Sequence, residues 1–403
     1  MPGTENDSGT HGALPAHDAE LRGLADRIVA GEISPASFDG GDEPLDLRLA
    51  THLARSKHAA ETAAWPGSIA IVFAMWGERR RLAPRSGNNP TGEDALHAKL
   101  DQLGWLFDGT PTTWSVYAVD DGDPEDSAIV AEERAALHSR GERVSVLRLG
   151  DAIPARDGPL RTLTDVDESR KGGAIVLGAA TALTNGADAI VMTDADNSVN
   201  LGQVGALVAE HAAGTPVVVG DRKHPESVLV KAEARWGPGI VVLRHMQRMV
   251  GRALFDSGLR DTQAAFKLYG RAPLVDILAA PSTFGFAFDS DWLYASLRHG
   301  HHIERVPFGF VDSFEESASI TQGPMTTWES LLQGLVFAAR ARDVSHDKDM
   351  ADVVDRFGHA DVLEQVINAV PPELAGVADS QLGDPKVMTP AQLAAWLESI
   401  VTR

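Results

Sequence analysis

The sequence predicts an α/β fold in which helices cover both faces of a mostly parallel β-sheet. Apolar runs rich in β-branched residues alternate along the chain with segments of helical spacing, which is the order expected when strands are joined by helical crossovers. These runs are continuously apolar, as is typical of strands buried on both faces. Three of them end in charged residues, and open sheets of this kind bind ligands at the carboxyl ends of their strands.

Each element of this fold follows from a local pattern. β-branched apolar runs predict the strands, and apolar residues three and four positions apart predict the helices between them. The predicted strands cover residues 68–76, 115–122, 143–149, 187–196 and 216–222, and the predicted helices between them include 126–141 and 172–186.

Four regions are predicted along the chain. Residues 1–16 are rich in Gly, Pro, Asp and His, which predicts a disordered tail. Helical spacing over 17–66 predicts an N-terminal helical extension, and the strands and their helices place the α/β domain at 67–342. Residues 343–403 predict a C-terminal helical extension, in which Thr389 and Pro390 form an N-cap and first-turn pair.

Composition limits the classes of partner. The 403-residue chain has no Cys, which excludes disulfides and thiolate chemistry and fits a reducing cytoplasm. A formal net charge of -21 argues against nucleic acid and anionic lipid surfaces as general partners. The N-terminus shows no signal-peptide pattern, and no apolar run is long enough to span a bilayer. We therefore expect a cytoplasmic protein without a transmembrane segment.

Asp194 and Asp196 follow directly on a predicted buried strand. The Asp-x-Asp spacing occurs at four other places in the chain, so the placement selects this pair. Two carboxylates there repel each other and lose hydration, and a divalent cation relieves both effects. Mg²⁺ or Mn²⁺ would also keep positions for substrate phosphates. The other interpretation is a pair of solvated acids, with Asp196 or Ser198 capping the next helix.

Other predicted strand ends and helix starts add charged groups. Asp120 and Asp121 could accept hydrogen bonds from a base or a ribose, or could simply form an Asp-Gly turn. Arg170 and Lys171 precede two glycines at a helix start, where backbone N–H groups attract anions. Arg222 follows another predicted strand. Acids and cations together predict a site for a metal-bound nucleotide diphosphate.

An ordered set of short stretches matches a known family. The most specific are LRDTQAAFKLYGR (259–271) and FAFDSDW (286–292). The set resembles the family 2 glycosyltransferases of GT-A (Rossmann-like) fold, most closely the dolichyl-phosphate glucosyltransferase and mannosyltransferase branch. The resemblance runs from about Ser68 to about Ser319. The other matching stretches are FAMWGE (73–78), VDDG (119–122), RKGGAIVLGAATA (170–182), MTDADNSV (192–199) and VGDRKHPES (219–227).

The resemblance implies inverting transfer of a hexose from a UDP- or GDP-sugar, with Mg²⁺ or Mn²⁺, to the phosphate or hydroxyl of a polyprenyl phosphate or a soluble molecule. It implies that Asp196 and Asp194 bind the metal, with Asp194 also near the ribose. The implied residues are Glu78, Asp120, Asp121, Lys171, Asp194 and Arg222 on the donor side, Arg235, Gln263 and Lys267 on the acceptor side, and Asp261, Asp289 and Asp291 at the reacting centre.

Three features depart from the family pattern, and one of them is Ala264-Ala265, where many relatives have a Cys-Gly pair. The first-strand turn is Met75-Trp76-Gly77-Glu78 rather than Tyr-Asn-Glu, and no membrane anchor is found. Residues 326–342 could make a peripheral membrane contact, although we favour a helix packed in the core. A soluble acceptor therefore stays possible. A nucleotidyltransferase and a non-catalytic nucleotide-sugar binding module are the alternative functions, and the sequence assigns neither the donor base nor the oligomeric state.

Overall fold

The computed structural model describes residues 14–38, 43–169, 171–230, 237–312 and 324–401. The β-branched apolar runs form its longer strands, because such side chains pack well on a pleated surface. The strands in these ranges are β1 (Ser68–Met75), β2 (Thr113–Asp120), β3 (Val144–Arg148), β4 (Ala189–Met192), β5 (Val217–Gly220), β6 (Val228–Val230), β7 (Lys267–Gly270), β8 (Ile303–Val306) and β9 (Gly309–Val311).

Most of these strands form one sheet in the order β3-β2-β1-β4-β7-β5-β8. Neighbours in the sheet are parallel, except that β7 runs antiparallel to both β4 and β5. Met192 pairs with Lys267, so β7 begins at the edge where β4 ends. Strands β6 and β9 form a separate parallel pair. The predicted α/β class with a mostly parallel sheet is confirmed.

Helices surround this sheet on both faces and extend beyond it at both ends of the chain. Apolar residues at helical spacing supply the buried side of each longer helix. The helices are α1 (Leu14–Val29), α2 (Leu45–Ala63), α3 (Arg79–Leu82), α4 (Ala95–Phe107), α5 (Ser127–Leu137), α6 (Leu149–Ala152), α7 (Gly172–Thr184), α8 (Val204–Ala212), α9 (Ile240–Val250), α10 (Arg252–Asp256), α11 (Arg271–Ala279), α12 (Phe288–Arg298), α13 (Pro324–Ala341), α14 (Lys348–Phe357), α15 (Ala360–Val366) and α16 (Pro390–Val401).

Alternate side chains of β1 enter two different apolar cores. Ile69 and Ile71 pack in the cluster that includes residues of α4, α5 and α8, whereas Ala70 and Val72 pack in the cluster of α7, α11 and α12. All four are fully buried. Because successive strand residues point to opposite faces, a strand covered on both sides must be apolar at every position.

The N-terminal helices pack beside the sheet rather than on its centre. Helix α2 contacts α1 and α8, and Leu21, Leu49 and Leu53 share a small apolar cluster with Val228. Helix α1 begins at Leu14, inside the predicted tail, and the rest of that tail lies outside the described residues. The extension is thereby attached to α8 and to strand β6.

The C-terminal helices share an apolar core with one face of the sheet. Helix α13 packs against α9, α12 and α15, and buried Leu332 and Leu335 lie in the same cluster as Met350 and Trp292. The apolar side of 326–342 therefore faces protein, as core packing predicts. None of the helices among the described residues has the length and apolarity needed to cross a membrane.

Element boundaries differ from the prediction where charges begin. Strands β4 and β5 end at Met192 and Gly220, earlier than predicted, because the following acids turn out of the sheet into loops. Strand β7 was not predicted. It is a four-residue run inside the LRDTQAAFKLYGR block, and its antiparallel partners are far away in sequence.

Candidate functional site

The loop after β4 presents the two aspartates at the carboxyl edge of the sheet. The Asp194 carboxylate accepts a hydrogen bond from Lys171 Nζ. The Asp196 carboxylate accepts one from Ser198 N–H at 3.0 Å, while the Asp196 carbonyl accepts one from buried Lys99. Side chain and backbone of this loop are therefore each held by a cation or an N–H donor.

A strained turn before α7 directs Lys171 to this loop. Lys171 has φ 73°, a conformation that costs free energy for a residue with a Cβ. Its N–H donates to Asp121 Oδ2 at 2.6 Å, and Ser169 Oγ donates to the other Asp121 oxygen at 2.5 Å. Gly172 N–H donates to the Phe284 carbonyl at 3.1 Å. Asp121, at the end of β2, therefore positions Lys171.

Arg222 and Asp261 form a two-point ion pair next to this loop. Arg222 Nε and Nη2 lie 2.6 and 2.8 Å from the two oxygens of Asp261, a fork geometry that is strong and directional. Burial alone would raise the pKa of Asp261, but Arg222 lowers that pKa to about 2. Asp261 precedes β7, whose reversed direction brings the DTQ residues to this edge.

Lys267 and Asp289 form a second ion pair, which is buried. Lys267 Nζ donates to Asp289 Oδ1 at 2.9 Å, and both side chains are buried. Burial raises the pKa of Asp289, although the Lys267 charge opposes that shift. Lys267 was predicted on the acceptor side. In the structure its ammonium group instead donates hydrogen bonds to Asp289 and to the Ala264 carbonyl.

These pairs form one charged cluster. Burial and the charges of Asp194 and Asp289 both act on Lys171, with a net rise in its pKa. Burial would raise the pKa of Asp194, but Lys171 lowers it, and Arg222 adds to that effect. Burial and then Asp194 raise the pKa of Asp196. The structure therefore brings together Lys171, Asp194, Asp196, Arg222, Asp261 and Asp289.

Three charged residues that were not predicted also surround Asp196. Arg81 pairs with Glu78 and lies 3.4 Å from Glu93, whose other oxygen accepts the Asn197 N–H at 3.0 Å. Burial raises the pKa of Glu78 to about 7, with Arg81 opposing that rise. Arg81 lies in the cationic stretch after β1, which is only a weak sequence signal for a site residue. No sequence pattern indicated that Glu93 and Lys99 lie at the site.

Several predicted site residues lie apart from the cluster. Asp291 is fully buried and accepts two hydrogen bonds from Arg342, at 2.8 and 2.9 Å, and two from Ser282. Asp120 accepts the N–H groups of residues 122 and 123 at 2.9 Å, as an Asp-Gly turn would. Gln263, by contrast, adjoins the cluster, because its N–H donates to Asp261 Oδ1 at 3.3 Å and its side chain contacts Ser290 at 3.3 Å. Arg235, like Arg170, lies outside the described residues.

The donor set suits a hard divalent cation shared with a ligand. In the described part of the chain, no group of three or more acidic or histidine side chains is arranged to hold a metal alone. Two neighbouring carboxylates are nevertheless the usual protein contribution to Mg²⁺ or Mn²⁺, because phosphate oxygens and water supply the other positions. Asp194 and Asp196 therefore fit a metal that arrives with a diphosphate.

The N-terminal extension supports the aspartate loop from behind. Asn200 Nδ2 donates to Asp18 at 2.5 Å, and Gln102 both donates to Asp18 and accepts the Leu201 N–H at 2.8 Å. A cavity of about 40 Å³ lies between the extension and Asn197. Its lining includes Leu21, Leu53 and Gln102 and does not include the residues of the charged cluster.

No family model matches the chain. It is 26% identical over 211 residues to the undecaprenyl-phosphate mannosyltransferase of Micrococcus luteus, covering 52% of this chain and 76% of that protein. It is 25% identical over 198 residues to the polyprenol monophosphomannose synthase of Mycolicibacterium smegmatis, covering 49% of this chain and 66% of that protein. Among solved structures, glucosyl-3-phosphoglycerate synthase from Mycobacterium tuberculosis with UDP is similar, with a TM-score of 0.46, 15% identity, and coverage of 72% of this chain and 84% of that chain.

Proposed function

We propose that this chain moves a hexose from a nucleotide-diphosphate sugar to a phosphate or hydroxyl acceptor, with inversion. The chain is a glycosyltransferase of GT-A fold and is related to the family 2 polyprenyl-phosphate mannosyltransferases. The observation that carries the proposal is a set of ion pairs at the carboxyl edge of the sheet: Lys171 with Asp194, Arg222 with Asp261, and Lys267 with Asp289. Such an edge is the ligand site of open α/β sheets.

The donor diphosphate would bind between the acids and the cations of this cluster. Lys171 and Arg222 are held in place by Asp194 and Asp261, so they are oriented before a ligand arrives. Prepositioned cations stabilise charge that grows on a departing nucleoside diphosphate. Asp120 and Asp121, at the end of the neighbouring strand β2, would lie on the nucleoside side.

A metal would be held by Asp194 and Asp196. The cofactor we propose is Mg²⁺ or Mn²⁺, because both prefer carboxylate and phosphate oxygens. When bound, such a cation acts as a Lewis acid on phosphate oxygens. Lys99 and Arg81 hold the backbone and the neighbouring acids of this loop, so the carboxylates keep their positions before the metal binds.

The acceptor oxygen would attack the anomeric carbon from the face opposite the diphosphate. A phosphate acceptor is already ionised and needs no base, whereas a hydroxyl needs a carboxylate to take its proton. Of the three predicted acids, Asp261 is fixed as an anion by Arg222, and Asp291 is paired with Arg342. Asp289 is paired with Lys267 through one carboxylate oxygen, Oδ1, and burial raises its pKa, so we assign it as the base for a hydroxyl acceptor.

The two alternative functions are not retained. Both curated relatives are named for the transfer or synthesis of mannose-phosphate compounds, which favours sugar transfer over nucleotidyl transfer. The same names indicate an enzyme rather than a binding module.

A donor panel tests this proposal. UDP- and GDP-hexoses are added with MnCl₂ or MgCl₂, and the shift in unfolding temperature is measured, because a ligand that binds the folded state raises it. We expect one nucleotide to stabilise the wild type only with metal, and Asp196→Asn to weaken that binding about tenfold or more. Asp349→Asn is the matched control, since Asp349 is the exposed member of another Asp-x-Asp pair.

Two further measurements complete the test. Proton NMR of the transferred sugar reports the anomeric configuration, which should be opposite to that of the donor. If no nucleotide sugar binds at millimolar concentration with metal, or if Asp196→Asn binds as tightly as the wild type, the assignment fails.

A further inference from the structure

Three cationic side chains converge on one carboxylate beside the donor cluster. Arg248 Nη2 lies 2.5 Å from Asp379 Oδ2, Lys223 Nζ lies 3.4 Å from the same oxygen, and Arg244 Nη1 lies 3.5 Å from Asp379 Oδ1. Three positive charges and one negative charge leave an excess of two positive charges. In a chain of net charge -21, such an excess indicates a site for an anion.

This three-cation site is accessible from solvent. The side chains of Lys223, Arg244 and Asp379 are 39%, 36% and 47% exposed, and Arg248 forms the buried floor at 9%. Burial and the Arg248 charge lower the pKa of Lys223, as expected where cations are crowded together. A second anion from solvent can therefore reach the cations and would relieve their mutual repulsion.

The site adjoins the proposed donor site. Lys223 follows Arg222 in the chain, and its ammonium also interacts with the charge of Asp261, the partner of Arg222. Arg244 and Arg248 are one turn apart on α9, so they face the same way.

Asp379 belongs to a C-terminal segment that is anchored independently of its carboxylate. Gly383 N–H donates to His245 Nδ1 at 2.9 Å, and His245 Nε2 then donates to the Met388 carbonyl at 2.9 Å. Gly383 has φ 88° and packs directly on Arg248. The segment therefore stays in place when the Asp379 side chain turns away.

We propose that Lys223, Arg244 and Arg248 bind the phosphomonoester group of the acceptor, and that Asp379 is an internal anion that occupies this site until the acceptor displaces it. The inference rests on the proposed function, because it assigns the chemistry of the acceptor. A phosphomonoester carries nearly two negative charges at neutral pH and three acceptor oxygens. It therefore matches three cations better than one carboxylate does.

The test is the binding of inorganic phosphate by calorimetry, without donor or metal and at constant ionic strength. Asp379→Asn removes the internal charge with little change of shape, and we expect it to bind phosphate about tenfold or more tightly than the wild type. Asp384→Asn is the matched control, because it removes an exposed acid of the same segment. Equal phosphate affinity of wild type and Asp379→Asn would overturn the proposal.

Double variants locate the site. Asp379→Asn combined with Lys223→Met or with Arg244→Met should lose the gain in phosphate affinity. These two cations are more than a third exposed, so the folded state tolerates their removal better than that of Arg248. A gain that persists in both double variants places phosphate elsewhere and rejects the assignment.

Two further arms distinguish the source of the phosphomonoester. Glycerol phosphate is the soluble probe, and phosphatidylcholine vesicles with a polyprenyl phosphate are compared with plain vesicles. Tighter binding of Asp379→Asn to one probe supports the proposal and identifies the acceptor as soluble or lipid-borne, whereas no tightening with either contradicts it. Donor binding is measured separately with nucleotide and metal, so its failure would reject the donor assignment and leave the phosphate site itself, but not its role for an acceptor, supported.

Discussion

Asp194 and Asp196 differ in their surroundings although one residue separates them. Asp194 is neutralised by Lys171, and its pKa is lowered despite burial. Burial and the neighbouring Asp194 raise the pKa of Asp196. The neighbouring cations do not neutralise this carboxylate directly, because Arg81 pairs with Glu78 and Lys99 donates to the Asp196 carbonyl. Of the two carboxylates, Asp196 therefore gains more from a bound cation.

Arg222→Lys tests the fork between Arg222 and Asp261. A lysine cannot make both hydrogen bonds, so one oxygen of the buried Asp261 carboxylate loses its partner. We expect the free energy of unfolding to fall by about 1–3 kcal/mol. Urea unfolding measures this change. Arg55→Lys is the control, because the Arg55–Glu226 pair is about half exposed, and it should change stability by at most about 0.5 kcal/mol. Equal effects of the two substitutions would contradict the role given to the fork.

At the scale of elements, one buried ion pair joins two helices. Asp291 near the start of α12 binds Arg342, which follows α13, and the side chains are 0% and 10% exposed. Removing one partner of such a pair leaves a buried charge unsatisfied. The geometry thus gives Asp291 a structural function in holding the C-terminal helices to the sheet.

Asp291→Asn and Arg342→Met measure that function. Each should destabilise the fold by about 3 kcal/mol, and the double variant should be less destabilised than the sum of the two, because both charges are then absent. Turnover per folded molecule should stay within about twofold of the wild type. A variant of Asp291 that folds normally and has lost turnover would instead identify Asp291 as the base.

The antiparallel strand shows how elements bring distant residues into one site. The DTQ residues and Asp289 are separated from the aspartate loop by about 65 to 95 residues of sequence. Strand β7 inserts between β4 and β5 in the reverse direction, so its start meets their ends. The resemblance to a known family predicted that these residues act together, whereas hydrophobic pattern alone did not predict the strand.

At the scale of the whole molecule, a buried histidine helps to hold the N-terminal extension. His52 on α2 contacts the Glu226 carbonyl at 3.0 Å and packs 4.9 Å from the Phe38 ring. Burial lowers the pKa of His52 from 6.5 to about 4, although the Glu226 carbonyl opposes that shift. The charged groups around it are Arg48 and Arg55 on the same helix and Glu226 on the opposite side.

This shift predicts acid sensitivity of the N-terminal extension. Burial keeps His52 neutral in the folded state, whereas the unfolded chain takes up a proton below about pH 6.5. The contribution of His52 to the free energy of unfolding is therefore fully present above pH 6.5, and it falls by on the order of 3 kcal/mol as the pH is lowered from 6.5 towards 4. Urea unfolding at pH 7.5, 5.5 and 4 measures this. The stability difference between wild type and His52→Gln should fall along that series.

The matched control is His302→Gln, whose side chain is 69% exposed. Its difference from the wild type should not show the loss on acidification that is expected for His52→Gln, because burial is absent at this exposed side chain. Because other titrating groups are common to each pair of proteins, their contributions cancel in the differences. A constant difference for His52→Gln would reject the role assigned to burial.

The sequence by itself determined the class of fold and the position of the aspartate pair. Continuous apolar runs require burial on both faces, and charges that follow them must lie at a strand edge. Apolar side chains avoid water and charged side chains require it, so the fold class and the position of the aspartate pair can both be predicted from short stretches of sequence.

Only the tertiary structure decided which charges meet. Lys99 and Arg81 reach the Asp196 loop from α4 and from α3. Asp291 pairs with Arg342, and Asp379 enters a three-cation site from the far end of the chain. Ion pairs are formed by residues that the packing of helices brings within a few ångströms. Such proximity across 50 to 150 residues of sequence leaves no local pattern.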